Sequence, residues 1–170
     1  MNNNIPIEIE RKFLIRIPSF SDMEKQTNFR IRQITQTYLK TDGKKNARVR
    51  KVIENNATTY VKTIKERIST LSCFEDEHLI SYDEYASLLL NADKEKKSIN
   101  KTRYSFEYCD HILEIDVYDF WNDRATLEIE LESETEEFSI PDFIEVIKEI
   151  STDGRYKNTN LAKNVPFDEI

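Results

Sequence analysis

The sequence predicts an α+β fold: an eight-stranded antiparallel β-barrel, a tunnel, with helices packed on its outer face. Three observations point there. Alternation of apolar and polar residues with a period of two recurs in eight segments, the pattern of strands with one apolar face. Short turn-forming stretches separate many of them, such as Thr41-Asp42-Gly43-Lys44 and Glu54-Asn55-Asn56. The polar face of these strands is charged well beyond what a solvated sheet face needs.

In chain order, the strands are predicted over Ile7 to Phe13, Arg32 to Lys40, Ala47 to Ile53, Thr59 to Lys65, Phe74 to Ile80, Asn100 to Phe106, Ile112 to Phe120 and Ala125 to Leu131. Ser81-Tyr82-Asp83-Glu84 has the form of a capping box and opens a helix carrying Tyr85, Leu88 and Leu89. Ser139 to Ile150 reads as a second helix, with Pro141 in its first turn and Phe143, Val146, Ile147 and Ile150 on one stripe. Pro18 to Lys25 reads as a shorter helix, and Arg155 to Ala162 as one last turn.

Composition narrows the function. A chain of 170 residues is the size of one domain, 1–170, with a substantial core. Its only two glycines, Gly43 and Gly154, exclude glycine-rich dinucleotide and P-loop phosphate sites, which need several close together. Two histidines and two cysteines do not form a zinc site of the usual spacings. His78, His111 and Cys109 read as structural. With so few cysteines a disulfide framework is not expected, which points to a reducing cytoplasm. A net charge of −7 argues against a general nucleic-acid binder, though not against a local basic pocket. No apolar stretch is long enough to span a membrane, and the start lacks the apolar core of a signal peptide.

Residues two apart on a strand share a face. Glu8, Glu10 and Lys12 therefore point together, as do Arg48 and Arg50, Thr63 and Lys65, and Glu75 and Glu77. Lys101 and Arg103 form another set, Glu114, Asp116 and Tyr118 another, and Glu128, Glu130 and Glu132 the last. At this composition three successive same-face positions would all be charged only about 4% of the time by chance. One reading is a sheet with a solvated charged face. Segregation of the charges by strand favours the other: closure turns this face into a lumen, whose cations hold a polyanion and whose carboxylates hold divalent metal.

The segment Glu8-Ile9-Glu10-Arg11-Lys12 resembles the ExExK signature of the CYTH superfamily, the triphosphate tunnel metalloenzymes. Gln36-Thr37-Tyr38-Leu39, Arg48-Val49-Arg50, Thr63-Ile64-Lys65 and Lys101-Thr102-Arg103-Tyr104 resemble the family's successive motifs, in order. So do Glu114-Ile115-Asp116-Val117, Glu128-Ile129-Glu130-Leu131-Glu132 and Asp153-Gly154-Arg155-Tyr156-Lys157-Asn158. The resemblance runs from Ile7 to Leu161. It departs from the pattern at Cys73, where many members carry an arginine; the registers of Arg67 and Lys62 do not obviously place either inside.

The resemblance implies hydrolysis of a triphosphate compound, inorganic triphosphate foremost, with Mg2+ or Mn2+. Arg48, Arg50, Lys65, Lys101, Arg103 and Lys157 would grip the phosphate oxygens. Asp116, Glu128 and Glu130 would hold one metal, and Glu8 and Glu10 a second that activates water for in-line attack. Lys12, with Tyr38 nearby, would act on the terminal phosphate, while Glu75, Glu77 and Glu114 orient the cations. Glu132 is expected beyond the tunnel mouth and Lys96 on the surface. The alternatives are a class IV adenylate cyclase and a non-catalytic triphosphate-binding module. The partner is thus a small molecule, not nucleic acid or membrane, and the resemblance allows a homodimer.

Overall fold

The computed structural model describes residues 7–41 and 45–170, so the centre of the predicted turn at 42–44 lies outside the described residues. All eight predicted strands form. They are β1 (Ile7–Arg16), β2 (Thr27–Tyr38), β3 (Lys45–Glu54), β4 (Ala57–Arg67), β5 (Ser72–Ile80), β6 (Ile99–Tyr108), β7 (His111–Tyr118) and β8 (Arg124–Glu130). Neighbours run β5-β4-β3-β2-β6-β7-β8-β1, all antiparallel, and β5 pairs with β1 through Ile7↔Phe74, Glu8↔Cys73 and Ile9↔Ser72, which closes the barrel. The β3–β4 hairpin turns on Asn55 and Asn56, both at positive φ, the backbone region that a tight two-residue turn requires.

One prediction fails. Residues 139–145 form no helix, and β9 (Val146–Glu149) follows, antiparallel to β1 through Phe13↔Glu149 and Leu14↔Lys148. The reason lies in β1. Its outer edge is used by β5 only up to Ile9, so the backbone beyond needs another partner. β9 supplies it, and Ile150 N–H donates to Lys12 C=O at 2.8 Å. The apolar residues buried here are Ile144 and Ile150, whereas Val146 of the expected helical stripe is exposed.

The other helices are short. α1 spans Phe20–Met23, α2 Tyr82–Leu89 and α3 Asn158–Leu161, the last preceded by a 3-10 turn over Gly154–Tyr156. Ser81 Oγ caps α2 by accepting from Glu84 N–H at 3.1 Å. α2 packs Tyr85, Leu88 and Leu89 on the outside of β3 and β4, against Val49, Tyr60 and Ile64. Outward residues of β1, β6, β7 and β8, among them Phe13, Phe106, Ile115, Leu127 and Ile129, form the largest cluster with Met23 and Ile144. No helix among the described residues is long and apolar enough to cross a membrane.

The inner face is not charged throughout. Beyond Lys12, Gln36, Lys101 and Asp116, the next inward residues are Leu14, Tyr38, Ile99 and Tyr118. These pack with Trp121, Ile150, Tyr156 and Leu161 into an apolar plug, so the segment carrying α3 caps one end of the lumen.

Candidate active site

Inside the barrel is a cavity of about 450 Å³. Its lining includes eight acidic residues (Glu8, Glu10, Glu54, Glu75, Glu77, Glu114, Glu128, Glu130) and eight basic ones (Lys12, Arg32, Arg48, Arg50, Lys65, Arg67, Arg103, Lys157). Tyr38 also lines it. Equal numbers of opposite charge make the lumen neutral in sum, but the charges are unevenly matched.

Most cations hold a carboxylate. Lys12 Nζ lies 2.7 Å from Glu128 Oε1, Arg32 contacts Glu114 at 3.2 Å, and Arg50 pairs with Glu77. Lys65 bridges Glu8 and Glu75, with 2.5 Å to the latter. Arg103 is the densest node, reaching Glu114, Asp116 and Glu128 together. Such pairs offset the desolvation of each charge only while their geometry holds.

The predicted site residues divide into two groups. Glu8, Glu10, Lys12, Tyr38, Arg48, Arg50, Lys65, Arg103, Glu128, Glu130 and Lys157 surround the cavity, as do Glu75, Glu77 and Glu114. Lys101 and Asp116 do not line it. Asp116 is fully buried, its Oδ1 accepting from Arg103 Nε at 2.7 Å and its Oδ2 from Lys101 Nζ at 2.5 Å and Arg103 NH2 at 2.7 Å. Both carboxylate oxygens are thus occupied behind Arg103. Glu132 is exposed past the end of β8, outside the lining.

Two lining cations are not among the residues the sequence predicts for the site. Arg32 stands directly opposite Arg103 in the β2–β6 ladder, and Arg67 opposite Cys73 in β4–β5. Arg67 therefore does face inward, contrary to expectation, whereas Lys62 pairs with Val49 and His78 on the outer face. Each continues a same-face pair of like charges, Arg30 with Arg32 and Lys65 with Arg67, but the predicted strands begin at Arg32 and end at Lys65, so the pairs are cut at the strand ends. Lys96 is not a free surface residue either. Its ammonium sits 2.9 Å from Asp93 and 5.3 Å from the Tyr38 ring centroid.

The electrostatics separate engaged from disengaged carboxylates. Burial raises Glu128, but Lys12, Arg103 and Lys101 outweigh it and hold its carboxyl far below the usual range. Burial also opposes ionisation of Glu75, yet Lys65, a hydrogen bond from Glu8 and Arg48 bring it to about 2. Burial, reinforced by Glu10 and Glu75 and only partly offset by Lys65, pushes Glu8 up to about 7. Glu10 is raised by burial and by Glu128, and Glu130 by burial and Glu114. Lys12 stays charged: burial disfavours its ammonium, but Glu128, Tyr118 and Glu10 more than compensate. The Tyr38 phenol is raised by burial and remains protonated, accepting from Gln36 Nε2 at 2.9 Å.

Two kinds of unfilled capacity remain. The guanidinium Nε atoms of Arg32, Arg48 and Arg50 are buried with no acceptor, and all three arginines line the cavity. A buried donor without a partner costs on the order of 1–3 kcal/mol, so three beside one cavity mark a place for an oxygen-rich anion. Conversely, Glu10 and Glu130 are direct cross-strand partners, and neither carboxylate has an ion-pair partner among the described residues. Glu8, Cys73 and Glu75 also bring one donor atom each within 4.8 Å of one another, but Lys65 already bridges the two carboxylates. The oxygen donors of Glu10 and Glu130 fit a hard divalent cation.

A closed antiparallel barrel whose lumen offers orphaned arginine donors beside cation-free carboxylates defines a class: a tunnel for a polyanion accompanied by divalent cations. The chain belongs to the CYTH domain family, whose pattern matches residues 6–163. It is 34% identical over 158 residues to an inorganic triphosphatase from Acetivibrio thermocellus, covering 92% of this chain and 94% of that protein. It is also similar to the crystal structure of the inorganic triphosphatase NE1496, with 28% identity, a TM-score of 0.58 and coverage of 94% and 96%. The PH1819 protein from Pyrococcus horikoshii shares the fold at 17% identity, with a TM-score of 0.57 over 75% of this chain and 80% of that one.

Proposed function

We propose that this protein is a divalent-cation-dependent hydrolase that removes a terminal phosphoryl group from inorganic triphosphate, with Mg2+ or Mn2+ as the cation. The observation that carries the reading is the set of three buried guanidinium donors without acceptors around one lumen. Kinship to inorganic triphosphatases supports the same substrate.

Arg48, Arg50, Lys65 and Arg103 grip phosphate oxygens by charge-assisted hydrogen bonds. Lys12, held charged by Glu128, is the last charged inward residue of β1 before the plug and donates from Nζ to a phosphoryl oxygen, with Tyr38 beside it in the plug. Lys101 and Asp116 act from behind, fixing the Arg103 guanidinium in a single orientation. Glu10 and Glu130 would hold the cation, and Lys65 would turn from Glu8 to phosphate. When bound, a divalent cation neutralises phosphate charge and acidifies a coordinated water. Glu8, poised near neutrality while its neighbour Glu75 stays ionised, takes the proton of the attacking water at its carboxylate. Glu77 and Glu114 hold Arg50, Arg103 and Arg32 in place. Two free cysteines, Cys73 and Cys109, suit a reducing cytoplasm.

Phosphate release from inorganic triphosphate, ATP and thiamine triphosphate, each with Mg2+, Mn2+ or chelator, tests this. Inorganic triphosphate should turn over fastest, and only with a divalent cation. Conversion of ATP to cyclic AMP and pyrophosphate would replace the reading with a cyclase, and tight binding without turnover would replace it with a binding module.

A further inference from the structure

The ion-pair pattern of the lumen leaves two of its cations uncommitted. Lys12, Arg32, Arg48, Arg50, Lys65 and Arg103 each hold at least one lumen carboxylate. Arg67 and Lys157 line the same cavity and hold none among the described residues. Lys157 belongs to the capping segment, whereas Arg67 is the last residue of β4, a strand fixed on both sides.

The register fixes where Arg67 stands. It is the direct partner of Cys73, which in turn is the direct partner of Glu8, so the three form one row across the seam that closes the barrel. Cys73 is short and turned to Glu8, its Sγ 3.1 Å from Glu8 Oε2, and so leaves the lumen side of this row to Arg67. The β4–β5 turn is held tightly. Ile68 and Ser69 N–H both donate to Ser72 C=O, Ser69 Oγ accepts from Leu71 and Ser72 N–H, and Glu134 accepts from both serine hydroxyls. This turn prevents the slip that would turn Arg67 outward.

On β4, Arg67 extends the row of Thr63 and Lys65 by one more same-face step, about 6.5 Å along the strand. Lys65 is already within reach of Glu8 and Glu75. We infer that Arg67 is a specificity-determining residue: it binds the phosphoryl group of a linear triphosphate that lies nearest the seam, and so distinguishes triphosphate from diphosphate. The inference rests on the proposed function and deepens it. A guanidinium at the rim that holds no carboxylate among the described residues has no such ion pair to give up, so its bonds to phosphate add to binding.

The test is calorimetric titration of inorganic triphosphate and of pyrophosphate, each in chelator so that no turnover occurs, into the parent, Arg67→Gln and Arg67→Lys. Loss of a hydrogen-bonded charge should weaken triphosphate binding to Arg67→Gln about tenfold or more. Pyrophosphate binding should change less than about twofold, and Arg67→Lys should recover part of the triphosphate affinity. Unchanged triphosphate affinity in Arg67→Gln, or an equal loss for both ligands, overturns the inference while leaving the proposed function standing. A parent that binds neither phosphate overturns the proposed function itself, and the inference with it.

Discussion

Glu10 and Glu130 face each other across the β1–β8 ladder as direct partners, two carboxylates in a lumen where most cations are already paired with other groups. Like charges placed opposite one another in a sheet repel. At an effective dielectric near 20 and roughly 6 Å, the cost is about 2–3 kcal/mol before relief from neighbours. Glu10→Gln removes that repulsion with almost no change in volume. Without metal, this variant should be as stable as the parent or more stable by up to about 2 kcal/mol, while turnover falls at least about a hundredfold. Melts in chelator and a phosphate-release assay on the same two proteins check this, and full activity in Glu10→Gln would remove the residue from the site.

The pH dependence of the metal-free protein follows from the same carboxylates. Glu8 rises from 4.5 to about 7 on folding, so the folded state holds its proton more tightly than the unfolded chain. Stability should therefore fall as pH rises from about 4.5 to 7. Glu75 acts in the opposite sense: lowered to about 2, it contributes stability above 4.5 that is lost as pH falls towards 2. Thermal melts in chelator should show a maximum near pH 4.5–5 from this pair, and Mg2+ should restore stability at pH 8. A chelated protein whose stability rises steadily from pH 5 to 8 would contradict the assignment.

Asp116 offers a separation between holding metal and holding protein. Its oxygens already accept from Lys101 and Arg103 in full burial. Asp116→Asn leaves two buried cations facing a neutral amide, and breaking a buried pair costs about 3–5 kcal/mol. Urea denaturation should show a loss of that order with or without metal. A residue serving only as a metal ligand would instead show little loss in chelator.

Removing metal should not unfold the barrel. The clusters around Phe106 and Leu127, and around Val49 and Tyr85, lie on the outside of the strands and owe nothing to the lumen. Circular dichroism should stay close to unchanged on chelation while turnover stops; loss of the sheet signal would show that the lumen charges need metal to fold.

Much of this arrangement is legible in the sequence because a two-residue period assigns each side chain of a strand to a face. Glu8, Glu10 and Lys12, or Arg48 and Arg50, declare a charged face without any structure. The period says nothing of depth along the tunnel. Arg103 lines the cavity while Lys101, two residues earlier on the same face, is buried behind it, and Tyr118 and Leu14 end in the plug. Nor does it resolve a segment in which both periods fit. Phe143, Val146, Ile147 and Ile150 have helical spacing, but the open edge of β1 beyond Ile9 draws 146–149 into a strand. That competition is tertiary, and local pattern cannot report it.

That the lumen arginines bind triphosphate is tested most directly by calorimetric titration of inorganic triphosphate into Arg50→Ala in chelator, where no turnover occurs. Arg50 is buried, carries an Nε without an acceptor, and among the described residues is held by Glu77 and Thr63. Lys25→Ala, on an exposed side chain of the outer surface, serves as the control. Arg50→Ala should bind at least about tenfold more weakly with the sheet dichroism retained, and Lys25→Ala should keep parental affinity. Equal affinities for the two variants would contradict a triphosphate-binding role for the lumen arginines.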